Sequence, residues 1–462
     1  MAWWCGSTAC PVLVLLAAGG CSTGGGGGGN GRPNTNAPAN VNRNDNSGGN
    51  ANSPENANAN DNVNAPGNAN GGDPLEAPFG EPIPGLTGAQ LGEFTTGRAV
   101  FERSFKRIDG LGPLFNATSC RACHEQPAGG GSARRYRNVY LTARTNLDGT
   151  LSPINITFVQ PAYGPLQRGP FLSFTVDERR PIPADADVVA QRNPPALFGI
   201  GQFENVSDAT ILALEDPDDS NGDGISGRAN RIDGAVGRYG AKAQVATLLD
   251  ATRGLLLDQM GITTDAPVSG VSSNGAGSRS WWRRVVDFLD EFSWASPAHA
   301  QIIVPPPEGN DDTIPDPELT PADLQALVAY QRYLAMPPRG LIDSFVERGE
   351  QTFTDIGCAA CHVRDLPRED GVMLTAWTDL LLHDMGAELA DGVVQGLAGG
   401  GEFRTAPLWG VTFTAPFLHD GRADTLEEAI LLHGGEAAAA RDRFAALDEA
   451  ARVDLMAFLN SL

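Results

Sequence analysis

Cys120-Arg121-Ala122-Cys123-His124 and Cys358-Ala359-Ala360-Cys361-His362 are two copies of C-x-x-C-H in a chain of 462 residues that has only seven cysteines and six histidines. At that scarcity chance supplies roughly 0.001 copies of the pentapeptide. The spacing suits covalent haem: each thiol adds to one vinyl group, and the adjacent imidazole then reaches the iron. Cys120, Cys123, Cys358 and Cys361 are therefore read as attachment points for two haem c groups, with His124 and His362 as proximal ligands. Two other chemistries use the same letters. A structural zinc needs four ligands and the sequence has no further cysteine near either motif. A thioredoxin-like C-x-x-C does not need the histidine and belongs in a βαβ setting that is missing here.

The surroundings of the motifs repeat. Gly97-x-x-x-Phe101 precedes the first and Gly349-x-x-x-Phe353 the second, each within a short helical pattern; the phenylalanine stands 19 residues before its cysteine in one copy and 5 in the other. Internal duplication with an inserted loop in the first copy accounts for this. Thr320, Pro321 and Asp323 open a helix with Leu324, Leu327, Val328 and Leu334 on one face. Leu455, Phe458, Leu459 and Leu462 have the same spacing at the carboxyl end. Both faces are read as core.

Compartment is read from the amino end. Residues 11–20, PVLVLLAAGG, form an apolar run of signal-peptide length that stops at Cys21, too short for a permanent span. Ala18-Gly19-Gly20-Cys21 resembles a lipobox, which makes Cys21 a lipidation candidate, with an ordinary signal peptide as the alternative. Residues 22–72 are almost all Asn, Gly, Ala, Pro, Ser and Asp, a composition that cannot offset the entropy of folding. A coil of that length reaches roughly 40 Å, enough to hold a globular head off a membrane. Cys5 and Cys10 leave with the signal, so every mature cysteine has a use. Net charge is −23, and no run of Lys and Arg offers a phosphate-binding face, so nucleic acid is not an expected partner. The acidity suits solubility, or a small basic redox partner steered to an acidic face.

Beyond the motifs, the blocks GLGPLFNATSCRACHEQPAGGG, DPDDSNGDGISGRANR, LLLHDMG, EFRTAPLWG and FLHDGRADTLEEAILLHGGEA resemble the bacterial di-haem oxidoreductase family, also called thiol oxidoreductases and related to di-haem cytochrome c peroxidases. The resemblance runs from about Gly85 to Leu462, interrupted by residues 266–316. It implies a mainly α-helical chain with two cytochrome c-like haem domains, at 73–338 and 339–462, joined by long loops and preceded by a disordered tether. It also implies one haem for electron entry and one for chemistry, in an envelope oxidoreductase with peroxidase-like character.

Axial ligands decide what each iron can do, because an iron with two ligands passes electrons while an open position admits a substrate. In the related peroxidases a ligand follows the HDG motif; His433 follows His419 at a comparable remove, so the resemblance makes His362 and His433 the axial pair of the second haem. His383 and His419 are read as hydrogen-bonding residues. The first haem has only weak ligand candidates, Met260 and His299. The peroxidases carry an acid just before a Met-Gly pair; Gln259 stands there, leaving Asp258 or Glu204 as substitutes. If neither serves, the alternative function is an electron relay with both irons saturated; a sensor or maturation factor is a third reading. Trp409 is a candidate electron relay or a core residue.

Two stretches remain. Residues 266–316, a Gly, Ser and Pro-rich insert around SWWRRVVDFLDEFSW, carry an apolar helical stripe suited to docking. Asp219, Asn221 and Asp223 followed by Gly224 alternate oxygen side chains as a calcium site does, although Asn230 replaces the usual glutamate at the twelfth position of such a loop. A self-bonded Asx turn is the alternative.

Overall fold

The computed structural model describes residues 73–112, 115–145, 151–152, 186–264 and 317–462. The signal peptide, Cys21, the 22–72 stretch, His299 and the 266–316 insert lie outside the described residues.

Helix α1 (Gly88–Glu102) starts in a capping box: Thr87 Oγ1 accepts from Gln90 N, while Gln90 Oε1 accepts from Thr87 N at 2.9 Å. Then follow α2 (Asp208–Leu212), α3 (Leu248–Met260) and α4 (Pro321–Tyr333). The last opens as its sequence signals foretell, with Thr320 accepting from Asp323 N at 3.1 Å. Next come α5 (Ser344–Asp355), α6 (Leu426–Leu432), α7 (Ala438–Ala445) and α8 (Glu449–Ser461).

The strands are short. β1 (Val139–Thr145) lies between β2 (Leu151–Ser152) and β3 (Val188–Arg192), antiparallel to both, with Tyr140 opposite Gln191. Two-stranded ladders join β4 (Arg231–Ile232) to β5 (Ala235–Val236), β6 (Asp365–Pro367) to β7 (Met373–Thr375), and β8 (Leu382–Asp384) to β9 (Glu402–Arg404). The class is thus a mixture of helices and short strands. The expectation of a mainly α chain holds only in that coarser form, because long polar loops satisfy their backbone groups in small ladders rather than in helices.

Two helix crossings organise the interior, and they are alike. Gly97 of α1 sits so close to α4 that a Cβ there would stand 1.9 Å from Ala326 O; at Gly349 of α5 a Cβ would stand 2.0 Å from Asp454 O of α8. Glycine is what lets each helix pair touch backbone to backbone. One turn further on, Phe101 packs on Tyr330 at 4.7 Å and Phe353 on Phe458 at 5.2 Å. Around the first crossing gathers a core with Phe94, Phe101, Phe198, Phe203 and Leu334. Around the second lie Val346, Phe353, Trp377, Phe444, Leu455 and Phe458. The cores interleave in sequence, since Leu366, Leu374, Leu380, Leu381 and Trp409 belong to the first. No helix among the described residues is long and apolar enough to cross a membrane.

Candidate functional site

Each C-x-x-C-H segment is a tight turn placed by its helix crossing. His124 N donates to Cys120 O at 3.1 Å and His362 N to Cys358 O at 3.0 Å, so the two turns close on the same bond. The phenylalanine of each repeat stands beside its histidine, Phe101 at 6.4 Å from His124 and Phe353 at 6.2 Å from His362. All four thiols are partly buried and unpaired. Burial pushes Cys120 and Cys358 up to about 12 and Cys123 up to about 11. That is the reverse of what a reactive dithiol needs, since thiolates do the exchange chemistry and bind zinc.

The histidines divide by what their ring nitrogens do. His124 Nδ1 donates to Pro195 O at 2.9 Å and Gly131 O at 3.2 Å; His362 Nδ1 donates to Trp377 O at 2.9 Å; His433 Nδ1 donates to Ala429 O at 2.7 Å. A carbonyl can only accept, so the proton is on Nδ1 and the Nε2 lone pair is free, which is how metal-binding imidazoles are usually oriented. Burial lowers the pKa of all three and keeps them neutral, His362 to about 4 against its Trp377 bond and with His433 adding to the fall. Trp377 holds its carbonyl there from a left-handed backbone, φ 53°, a costly conformation for a bulky residue and one that concentrates at functional sites.

His383 is different: Nε2 faces Asp379 Oδ2 at 2.9 Å and Nδ1 faces Glu436 Oε2 at 2.8 Å. Burial opposes its charge, but bonds to Asp379, Cys361 and Glu436 prevail and raise it to about 12. With both nitrogens engaged it has none for iron. His419 stacks on Phe403 at 4.1 Å and is brought down to about 4 by burial and Arg192. Sequence reasoning saw His383 as a hydrogen-bonding residue but missed its partners, Asp379 and Glu436; the HDMG and HGGEA runs that carry two of the three were the available signal. Cys361, Asp379 and His383 offer ligand atoms within 4.8 Å of one another, a trio from which thioether formation would remove the cysteine.

The carboxylate candidates separate too. Asp258, on α3, is buried with Oδ1 lacking any hydrogen bond, and burial raises its pKa to about 8. Beside it Gln259 is occupied: its Oε1 accepts from Asn116 Nδ2 at 2.8 Å, and its backbone O from Asn116 N at 2.8 Å. Those bonds, with Gly112 N to Met260 O at 2.9 Å, tie the end of α3 to the loop leading into Cys120. Glu204 pairs with Arg332 at 2.8 Å. Met260 is buried in the first core, and Trp409 packs on Phe203 at 5.5 Å.

In the 219–223 loop both Asp219 oxygens accept from Gly224 N at 3.2 Å, Asn221 Oδ1 from Asp223 N at 2.9 Å and Asp223 Oδ1 from Ile225 N at 2.9 Å. The turn is thus shaped by its own side chains.

Residues 307–462 match the family model described as "Di-haem oxidoreductase, putative peroxidase". The chain is accordingly similar to di-haem oxidoreductases of peroxidase-like type over its carboxyl-terminal third. Among solved structures it is similar to a MauG-like protein associated with microbial copper homeostasis, at 16% identity and TM-score 0.36 over 84% of this chain and 94% of that one. It is also similar to a variant of the diheme peroxidase BthA from Burkholderia thailandensis, at 16% identity and TM-score 0.34 over 84% and 88%. Hydrazine synthase of Kuenenia stuttgartiensis matches at 24% identity and TM-score 0.23 over 31% of this chain; the match spans 55% of that chain. None of the curated proteins compared matches.

Proposed function

We propose that the chain is a di-haem c oxidoreductase of the cell envelope whose two irons have different tasks. The carrying observation is that three partly buried histidines, His124, His362 and His433, share one arrangement, Nδ1 on a backbone carbonyl and Nε2 free. In this reading Cys120 and Cys123 hold one haem and Cys358 and Cys361 the other. His362 and His433 would both hold the second iron, which would suit electron entry; His124 alone would hold the first, which would leave it able to take a peroxide-class substrate. When bound, the haems supply the redox chemistry. The chain's own residues orient the imidazoles, hold the thiols of Cys120, Cys123 and Cys358 neutral until attachment, and provide in Asp258 a carboxyl that stays protonated near neutrality and so can donate a proton. Glu204, neutralised by Arg332, is not assigned this role.

The relay reading draws on one observation, that Gln259 stands at the acid position and spends its side chain on Asn116. Spin state separates the two. The protein matured in a host with cytochrome c assembly is expected to contain two covalent haems, one low-spin and one high-spin, and to bind cyanide or carbon monoxide at one iron. Low-spin signals from both irons and no ligand binding would establish the relay instead.

The same proposal includes export, anchoring through lipidated Cys21 and the 22–72 tether, and a small electron-transfer protein as partner. Radiolabelled fatty acid entering wild type but not Cys21→Ser checks the anchor. Calcium at Asp219, Asn221 and Asp223 is a separate part of it, supported by the alternating oxygens alone.

A further inference from the structure

We infer that Glu436 is a positioning residue that seats His433 on the second iron, through a clamp it shares with His383 and Ser226. The inference rests on His433 being the axial ligand proposed above.

Helix α6 ends at Leu432, and His433 caps it in extended conformation, φ −62° and ψ 123°. Gly434 and Gly435 follow, a joint with little intrinsic stiffness. On its helix side His433 is held by its N on Ile430 O at 3.1 Å, its Nδ1 on Ala429 O at 2.7 Å and Arg441 Nη1 on its carbonyl at 3.1 Å, so the far side of the joint is where a second anchor acts. Glu436 is the next residue, and its two oxygens accept four bonds: Oε2 from Ser226 N at 3.0 Å and His383 Nδ1 at 2.8 Å, Oε1 from Ser226 Oγ at 2.8 Å and Asp384 N at 3.3 Å. The donors come from two segments distant in sequence, so the carboxylate pins the joint against both.

The clamp continues to the other axial side. His383 Nε2 reaches Asp379 Oδ2 at 2.9 Å, and Asp379 N donates to Cys361 O at 3.1 Å, one residue from His362. One polar chain, Glu436–His383–Asp379–Cys361, therefore references the loop of the distal histidine to the turn of the proximal one. The backbones meet without spacers: a Cβ on Gly435 would stand 2.1 Å from Asp384 O.

The test uses full-length holoprotein, dithionite-reduced and mixed with carbon monoxide in a stopped-flow spectrometer. Wild type, His433→Ala, Glu436→Ala and Ser226→Ala are compared. His433→Ala is expected to bind one haem equivalent more than wild type. Glu436→Ala, which loses all four of the carboxylate's bonds, is expected to show that same additional equivalent where wild type shows none. Ser226→Ala, which keeps the backbone donor, should move the same phase by less. If His433→Ala leaves the second haem closed, the ligand reading itself fails. If His433→Ala opens it while Glu436→Ala and Ser226→Ala exchange like wild type, the clamp is overturned and the ligand reading stands. Should Glu436→Ala not mature, Ser226→Ala alone decides: faster exchange upholds the clamp, and wild-type exchange overturns it.

Discussion

The regions around Cys120 and Cys358 are built on one plan and finished differently. Both set a glycine against the backbone of a partner helix, put a phenylalanine one turn on, and close a C-x-x-C-H turn beside it. What differs surrounds that frame. Between Arg98 and Arg137 basic residues outnumber acidic ones eight to three, whereas between Arg339 and Asp379 acidic residues outnumber basic ones eight to four. The first region carries a buried acid without a partner at Oδ1; the second has a spare histidine and a carboxylate clamp. In the proposed reading, the common parts are those a covalent porphyrin would require, and the divergent parts are those that would decide what its iron does. In that reading, the opposite charge balance along the two motif segments would give each a different class of protein to attract.

The comparison can be broken most directly at the cysteines. Cys120→Ser with Cys123→Ser, and separately Cys358→Ser with Cys361→Ser, should each remove one of two haem equivalents in a pyridine haemochrome assay. Retention of both by either variant would end the symmetry.

A second test sharpens the difference in acids. Asp258→Asn should lower peroxide turnover about 10²–10⁴-fold, the usual worth of a positioned proton donor, while Glu204→Gln should not. Its pKa gives a further sign. A carboxyl raised to about 8 in the folded state holds its proton where the unfolded chain has released it. Its contribution is thus complete below the ordinary carboxyl range and is lost as pH rises from there through about 8. Urea titrations should show wild type losing stability across that window and Asp258→Asn lacking that part of the loss.

The shared frame predicts matched damage. Gly97→Ala and Gly349→Ala each force a methyl group onto a carbonyl oxygen and should each cost about 1–3 kcal/mol by chemical denaturation; a large effect at one and none at the other would deny that the crossings are equivalent. The smallest effect expected is at the 219–223 loop. Calcium at ten times its Kd would stabilise by about 1.4 kcal/mol, read as a rise in Tm that chelator reverses and that Asp219→Asn with Asp223→Asn abolishes.

The frame was legible in the sequence because its causes are local or stoichiometric. A pentapeptide with haem spacing, a Gly-x-x-x-Phe repeat, and an N-cap followed by proline declare themselves within a few residues. Thr320 and Pro321 start α4 and Leu455, Phe458 and Leu459 are buried as their spacing implies. The four thiols and two proximal histidines needed no folding to be named. The spare carboxylates and histidines did, since a side chain's chemistry follows from neighbours that sequence distance hides.

The sequence by itself determined how many C-x-x-C-H turns the chain has, which histidines belong to them, and that a Gly-x-x-x-Phe segment precedes each. Tertiary structure alone decided that His433 keeps Nε2 free while His383 spends both nitrogens, that Asp258 lies buried with Oδ1 lacking a hydrogen bond, and that Gln259 is consumed by Asn116. The reason is that covalent spacing is written along the chain, whereas protonation and hydrogen-bond occupancy depend on dielectric and on partners such as Ser226 and Glu436, which lie 210 residues apart.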